Sequence, residues 1–147
     1  MDKYTALHET QKRKLLKAIE HLEYSYKKIQ SLSDNVEQLD DESLETWESF
    51  AARFSRVSEM FLGKYLRTII LMNDPGYDGR TVRDYLNQGE KLGLINNTDT
   101  WMAIRELRNI SVHDYSEEDI SAFFNRLKYE CPHLLAIKNL LLAGKKI

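Results

Sequence analysis

The sequence predicts a single all-α domain over residues 1–147, an up-and-down bundle of about five helices. Two prolines and six glycines in 147 residues leave long uninterrupted stretches for helices and disfavour a turn-rich β protein. Apolar residues recur every three or four positions through most of the chain, which is the spacing of one helical stripe. With 42% hydrophobic residues, a chain of this length can bury a core.

Two long helices are predicted first. The first covers roughly Thr10 to Leu32, and its buried stripe consists of Leu15, Ile19, Leu22, Tyr26 and Ile29. The second starts near Asp41 or Ser43, either of which can cap its amino end. It must stop before Asn73-Asp74-Pro75-Gly76, which is a strong turn signal. Two consecutive long helices predict the antiparallel pair of a bundle.

Two shorter helices are predicted next. The third runs from about Thr81 to Leu92 and stops at Gly93, because glycine accepts the left-handed backbone of a helix end. We expect Thr98 to cap the fourth helix. Its buried positions are Trp101, Ile104 and Leu107.

The fifth helix is predicted to begin after Ser116, which can form a capping box with Asp119. Pro132 either kinks this helix or opens a last one, because proline is favoured in the first turn of a helix. The expected buried positions of this helix are Ile120, Phe123, Phe124 and Leu127.

The net charge and the apolar runs of the sequence limit where the protein can be located and which partners it can bind. The net charge of −2 gives no global basic field, so any contact with RNA must be local. The longest apolar run, Ile69 to Met72, is far too short to span a bilayer, and no signal-peptide core is visible. We therefore expect a cytoplasmic protein that contacts no membrane. Cys131 is the single cysteine, so no intrachain disulfide is possible, and we expect it partly buried on a helix.

Several enzyme classes find no support in the sequence. His8, His21 and His133 lack metal-ligand spacing with a cysteine or carboxylate, so we expect surface or structural roles for them and predict no metal or cofactor. The chain has no phosphate-cradling glycine loop and no GxSxG motif. The large aromatic residues are expected in the core or at a dimer contact: Trp47, Phe54, Phe61, Trp101, Phe123 and Phe124.

The chemistry is expected in the segment 108–115, which reads Arg-Asn-Ile-Ser-Val-His-Asp-Tyr. It brings a guanidinium, an amide, an imidazole and a phenol within eight residues. Arg108 and His113 are five positions apart, about 140° around an ideal helix. They reach one cleft only if the helix bends or ends near Ser111 and Val112. Tyr115, seven positions after Arg108, returns to the same face if the helix persists.

This segment resembles the signature of HEPN domains, Arg-x4-His. Arg108 and His113 match it, and Asn109 matches the asparagine that often follows the arginine. The extended form Arg-x4-His-x-Tyr is typical of HepT-like toxins, and Tyr115 completes it. The resemblance also covers the predicted helix layout over nearly all of the chain.

The resemblance implies metal-independent cleavage of RNA. His113 would act as general base or acid, because the pKa of histidine lies near working pH. Arg108 would bind the phosphate and stabilise the charge of the transition state, and Asn109 would orient the phosphate or His113. Because each chain has one motif histidine and the family forms dimers, we expect a homodimer with a shared cleft.

The resemblance also implies a partner protein. HepT-like toxins are paired with a minimal nucleotidyltransferase antitoxin of the MntA type, which transfers AMP from ATP to the motif tyrosine. In this chain that tyrosine is Tyr115. Added phosphates beside Arg108 and His113 would occupy the anion site and repel RNA.

Two other functions stay open at this stage. The chain is alternatively a non-catalytic substrate-binding or assembly partner of a nucleotidyltransferase, or a helical interaction protein in which the motif is accidental. His113 would then be a helix-terminal or interface residue, and Tyr115 an aromatic packing residue. Arg108 would form a surface ion pair, for which the candidate partners are Glu106, Asp114 and Glu117.

Overall fold

We describe the fold from a computed structural model, which describes residues 3–108 and 116–147. In this part of the chain every regular element is helical, which confirms the predicted all-α class. The helices are α1 (Lys3–Ile29), α2 (Asp41–Met60), α3 (Leu66–Asn73), α4 (Val82–Lys91), α5 (Thr98–Leu107), α6 (Glu117–Leu135) and α7 (Ile137–Ala143). A 3₁₀ turn covers Val36–Gln38, and a π-helical segment, Phe61–Tyr65, joins α2 to α3.

The first two helices form the predicted antiparallel pair. Near the start of α1, His8 Nε2 lies 2.8 Å from the hydroxyl oxygen of Tyr65. Farther along α1, Arg53 Nη1 donates a hydrogen bond to the carbonyl oxygen of His21. The predicted start of α1 at Thr10 is wrong, because the helix already begins at Lys3. The His8–Tyr65 contact supplies a distant partner for this first part of the helix, where the sequence shows no apolar stripe.

The second long helix begins at Asp41, within the predicted range, and the helical run ends where predicted, but its cap is Asp40 and not Asp41 or Ser43. Asp40 caps α2 by accepting a hydrogen bond from the Ser43 N–H at 2.8 Å, and this bond lowers the pKa of the Asp40 carboxyl. The helical run ends at Asn73, immediately before the turn signal. The π segment was not predicted. Within it Phe61, Leu62 and Tyr65 are buried.

The predicted stop of α4 at Gly93 is confirmed, whereas the predicted cap of α5 is wrong. Thr81 and Asp84 form a complete capping box on α4, and Gly93 has the left-handed backbone expected after it, with φ of 78°. The predicted cap of α5 is wrong by one residue. Asn97 is the cap, and Thr98 is the first helical residue. The hydroxyl of Thr98 instead donates to a carboxylate oxygen of Glu90, on α4, at 2.8 Å.

Helix α6 begins as predicted, because the Ser116 hydroxyl accepts a hydrogen bond from the Asp119 N–H at 3.2 Å. Phe123, Phe124 and Leu127 are buried, whereas Ile120 is half-buried. Pro132 neither ends α6 nor opens α7. The helix continues past it, and the break comes at Ala136, whose N–H donates to the Pro132 carbonyl oxygen.

Aromatic contacts connect the helices around the core. Trp47 on α2 stacks on Phe124 of α6, with ring centroids 4.7 Å apart. Phe61 in the π segment lies 5.1 Å from Trp101 of α5, which fixes α5 against the long helical run. The predicted core aromatics are all buried: Trp47, Phe54, Phe61, Trp101, Phe123 and Phe124.

Two further observations complete the description. Cys131 is fully buried on α6, and burial raises the pKa of its thiol, so it packs as a small apolar residue. Across residues 3–108 and 116–147, no helix combines the length and the apolar character that crossing a membrane requires.

Candidate functional site

The candidate site begins where α5 ends. Helix α5 stops at Leu107, and Arg108 occupies its carboxyl-terminal cap position, with its N–H donating to the carbonyl oxygens of Arg105 and Glu106. A cation at this end of a helix is favoured by the helix dipole. Of the four predicted site residues, Arg108 alone belongs to the described part of the chain. The predictions for Asn109, His113 and Tyr115 fall outside the described residues, as does the bend expected near residues 111–112.

The Arg108 side chain is largely enclosed. It is 24% exposed, and its Nη1 lies 3.5 Å from Oε1 of Glu59 on α2. Its Nε is buried and has no hydrogen-bond partner among the described residues. A guanidinium carries five N–H donors, and among the described residues this long contact engages one of them. The arrangement can therefore accept a further anion, and a planar guanidinium suits a phosphate or a carboxylate.

The partner of Arg108 differs from those that the sequence suggested. Within the described residues its ion pair is with Glu59, not with Glu106 or Glu117, and Asp114 falls outside them. Glu59 is 49 positions away along the chain, so no local pattern marks it as a neighbour. Because Glu59 is 60% exposed and the contact is long, the pair contributes little to stability.

The residues that follow the motif in the chain are negatively charged. Helix α6 carries three carboxylates in its first turn: Glu117, Glu118 and Asp119. They stabilise the positive end of the α6 dipole, but they repel a phosphodiester that approaches from this side. Arg108 and these acidic residues therefore give the two described flanks of segment 109–115 opposite charge.

The other histidines have structural surroundings, as predicted. His8 hydrogen-bonds to Tyr65, and burial raises the pKa of Tyr65 to about 12, so this phenol stays neutral at physiological pH. His133 packs edge-on against Trp101 and lies 3.8 Å from Glu130. Residues 3–108 and 116–147 contain no cluster of three or more histidine, cysteine or acidic side chains suited to a metal ion.

Substituting Glu59 by glutamine is expected to tighten RNA binding by roughly two- to fivefold at low salt, because one carboxylate no longer competes for Arg108. The affinity is measured by fluorescence anisotropy with a labelled RNA, in chains that also carry His113→Ala to prevent cleavage. Glu48→Gln is the matched control, since Glu48 is exposed on the same helix. An unchanged affinity for Glu59→Gln, or an equal gain for Glu48→Gln, contradicts a phosphate-binding role for Arg108.

Comparisons with known protein families, with curated proteins and with solved structures give no match to this chain. The functional argument therefore depends on the motif residues themselves and on the surroundings of Arg108.

Proposed function

We propose that this chain is a metal-independent endoribonuclease of the HEPN type that acts as a HepT-like toxin. The single observation that carries the proposal is Arg108, a largely enclosed arginine at the first position of the eight-residue motif, whose side chain makes one long hydrogen bond, to Glu59, among the described residues. The all-helical fold, in which the motif follows α5, supports the proposal. An arginine placed in this way is suited to hold a phosphodiester beside an imidazole five residues further on.

In the proposed reaction His113 removes the proton of a ribose 2′-hydroxyl. The 2′-oxygen forms a bond to the adjacent phosphorus, the bond to the 5′-oxygen breaks, and a general acid protonates that leaving oxygen. The products are a 2′,3′-cyclic phosphate and a 5′-hydroxyl. Arg108 stabilises the negative charge that builds up on the phosphate oxygens, and Asn109 orients the phosphate.

This chemistry requires both a base and an acid, and each motif supplies one histidine. We therefore propose a homodimer whose two motifs face one phosphodiester, with His113 of the partner subunit as the second group. A two-fold axis beside the motif would also bring a second Arg108 to the same cleft.

Tyr115 is the proposed site of regulation. A minimal nucleotidyltransferase antitoxin of the MntA type would transfer AMP to its phenol, and the adduct would place phosphate charge next to Arg108 and His113. Occupation of the anion site by this charge would block the binding of RNA.

A second candidate function is a non-catalytic binding partner of a nucleotidyltransferase. It is favoured by the Glu59 carboxylate beside Arg108 and by the acidic first turn of α6, which follows segment 109–115 in the sequence. Such a module would use the bundle as an assembly surface, and His113 would have no chemical role.

Expression of the chain alone in a bacterium separates the two candidates. A ribonuclease toxin is expected to arrest growth, and His113→Ala should restore it, because the imidazole is needed for proton transfer. Culture density is recorded after induction, and immunoblotting confirms equal amounts of both chains. Growth that is equally normal, or equally impaired, for parent and variant favours the binding module.

A further inference from the structure

The exposed surface between α1 and α2 carries two adjoining depressions that share Arg53. One has a volume of about 200 Å³ and is lined by Ala18, His21, Arg53 and Arg56. The other has a volume of about 150 Å³, and its lining includes Tyr24, Lys28, Ser49 and Glu45. We call the two depressions together the α1–α2 groove. Three permanent cations line it, namely Lys28, Arg53 and Arg56, against the single carboxylate of Glu45.

The central cation of the groove is held in place. Arg53 Nη1 donates hydrogen bonds to the Ser25 hydroxyl at 2.7 Å and to the His21 carbonyl oxygen at 3.2 Å. These bonds tie the guanidinium to α1, although the side chain comes from α2. A fixed guanidinium loses little conformational freedom when it binds an anion, because its position is already set.

An exposed aromatic ring stands among these cations. Tyr24 is 61% exposed, with Lys28 Nζ 5.5 Å and the Arg53 guanidinium carbon 5.9 Å from its ring centroid. A ring face flanked by cations is the combination that binds single-stranded nucleic acid, since bases stack on the ring while the cations contact phosphates. A membrane surface would need several exposed apolar side chains, and Tyr24 is the one large exposed hydrophobic residue of the groove.

The groove continues to the candidate site. Arg53, Arg56 and Glu59 follow one another at intervals of three along α2, so each is a surface neighbour of the next. Glu59 in turn contacts Arg108. From Ser49 to Glu59 the helix rises by about 15 Å, which corresponds to about four nucleotides of a stacked strand at 3.4 Å each.

We propose that the α1–α2 groove binds single-stranded RNA and leads it to Arg108. Lys28, Arg53 and Arg56 contact the phosphates, and Tyr24 stacks on a base. As a path to a cleavage site, this inference rests on the proposed function. As an RNA-binding surface, it is tested independently of cleavage. The local cation cluster also accounts for RNA binding by a chain whose net charge is −2.

The test compares two double variants of the full chain, both carrying His113→Ala, in their binding to a labelled single-stranded RNA over a range of salt concentrations. Lys28→Gln with Arg56→Gln removes two cations of the groove. Lys64→Gln with Lys91→Gln removes two exposed cations outside it. The groove variant is expected to bind roughly 10- to 30-fold more weakly near 0.1 M salt. The slope of its log affinity against log salt concentration should be about 1.4 shallower than that of the parent. The control should stay close to the parent.

Equal loss in the two double variants, or no loss in either, overturns the proposal. Binding to anionic lipid vesicles in place of RNA, with the same dependence on Lys28 and Arg56, also overturns it. Tyr24→Leu tests the stacking contact and should weaken single-stranded RNA roughly tenfold, with little effect on a duplex. An equal effect on both rejects the stacking role.

Cleavage by the unmutated chain is measured separately, so the two proposals can fail independently. Groove-dependent binding without any cleavage supports the groove and rejects the nuclease. Cleavage that depends on His113 while the groove variants bind like the parent rejects the groove and leaves the nuclease standing.

Discussion

Replacing His113 by alanine is expected to lower the rate of RNA cleavage by about 10²- to 10⁴-fold. The imidazole is the one group of the motif that can exchange a proton at neutral pH, whereas the Arg108 guanidinium stays charged. The loss should appear in the single-turnover rate, because chemistry and not RNA release is then measured. Binding of the RNA should change little, since the proposed phosphate contacts come from arginine and lysine.

The matched control for this experiment is His133→Ala. His133 lies on α6 and is exposed, and its contacts are with Trp101 and Glu130, so its removal should leave the rate within about twofold of the parent. Circular dichroism confirms that both variants keep their helices. An undiminished rate in His113→Ala, or the same loss in both variants, removes the imidazole from the mechanism.

Incubation with the proposed nucleotidyltransferase partner and ATP is expected to raise the intact mass by whole AMP units and to abolish cleavage. The phosphates of the adduct would compete directly with the RNA phosphate for Arg108, and their negative charge would repel the strand. Mass spectrometry of the intact chain and the cleavage assay are performed on the same sample.

Tyr115→Phe should prevent the mass increase, and Tyr129→Phe should not. Tyr129 is a demanding control, because it is 74% exposed on α6 and therefore open to nonspecific transfer. A mass increase that persists in Tyr115→Phe assigns the modification to another residue. A modified chain that still cleaves at the rate of the parent rejects the inhibitory role.

The helix ends that the sequence predicts correctly depend on contacts within three or four residues. Ser116 caps α6 through the N–H three positions later, and Gly93 ends α4 through its own backbone freedom. Such contacts are readable from sequence because both partners are adjacent in it.

The errors in the fold have distant causes. Thr98 does not cap α5 as predicted, and its hydroxyl instead donates a hydrogen bond to Glu90 of the neighbouring helix. Helix α1 begins earlier than predicted, and its first part contacts Tyr65, on the other long helix. The π segment was not predicted because the apolar spacing continues through it, with Phe61 and Tyr65 both buried.

In the candidate site, too, the local features were predicted and the contacts between distant residues were not. The sequence places Arg108 just after the fourth predicted helix, and in the structure Arg108 caps the corresponding helix, α5. Its neighbour Glu59 is 49 positions away in the chain, and the α1–α2 groove is lined by residues of two different helices. Only the packing of the helices brings these residues together. The geometry of Asn109, His113 and Tyr115 stays a prediction from the motif.

The chemical ends of the cleaved RNA test the central claim most directly. The purified chain is incubated with a single-stranded RNA in excess chelator, and the products are identified by mass spectrometry. An attack by the 2′-hydroxyl predicts a 2′,3′-cyclic phosphate on one fragment and a 5′-hydroxyl on the other, at a rate that the chelator does not change. Fragments that end in a 3′-hydroxyl and a 5′-phosphate, or cleavage that stops when metal is removed, would contradict the account.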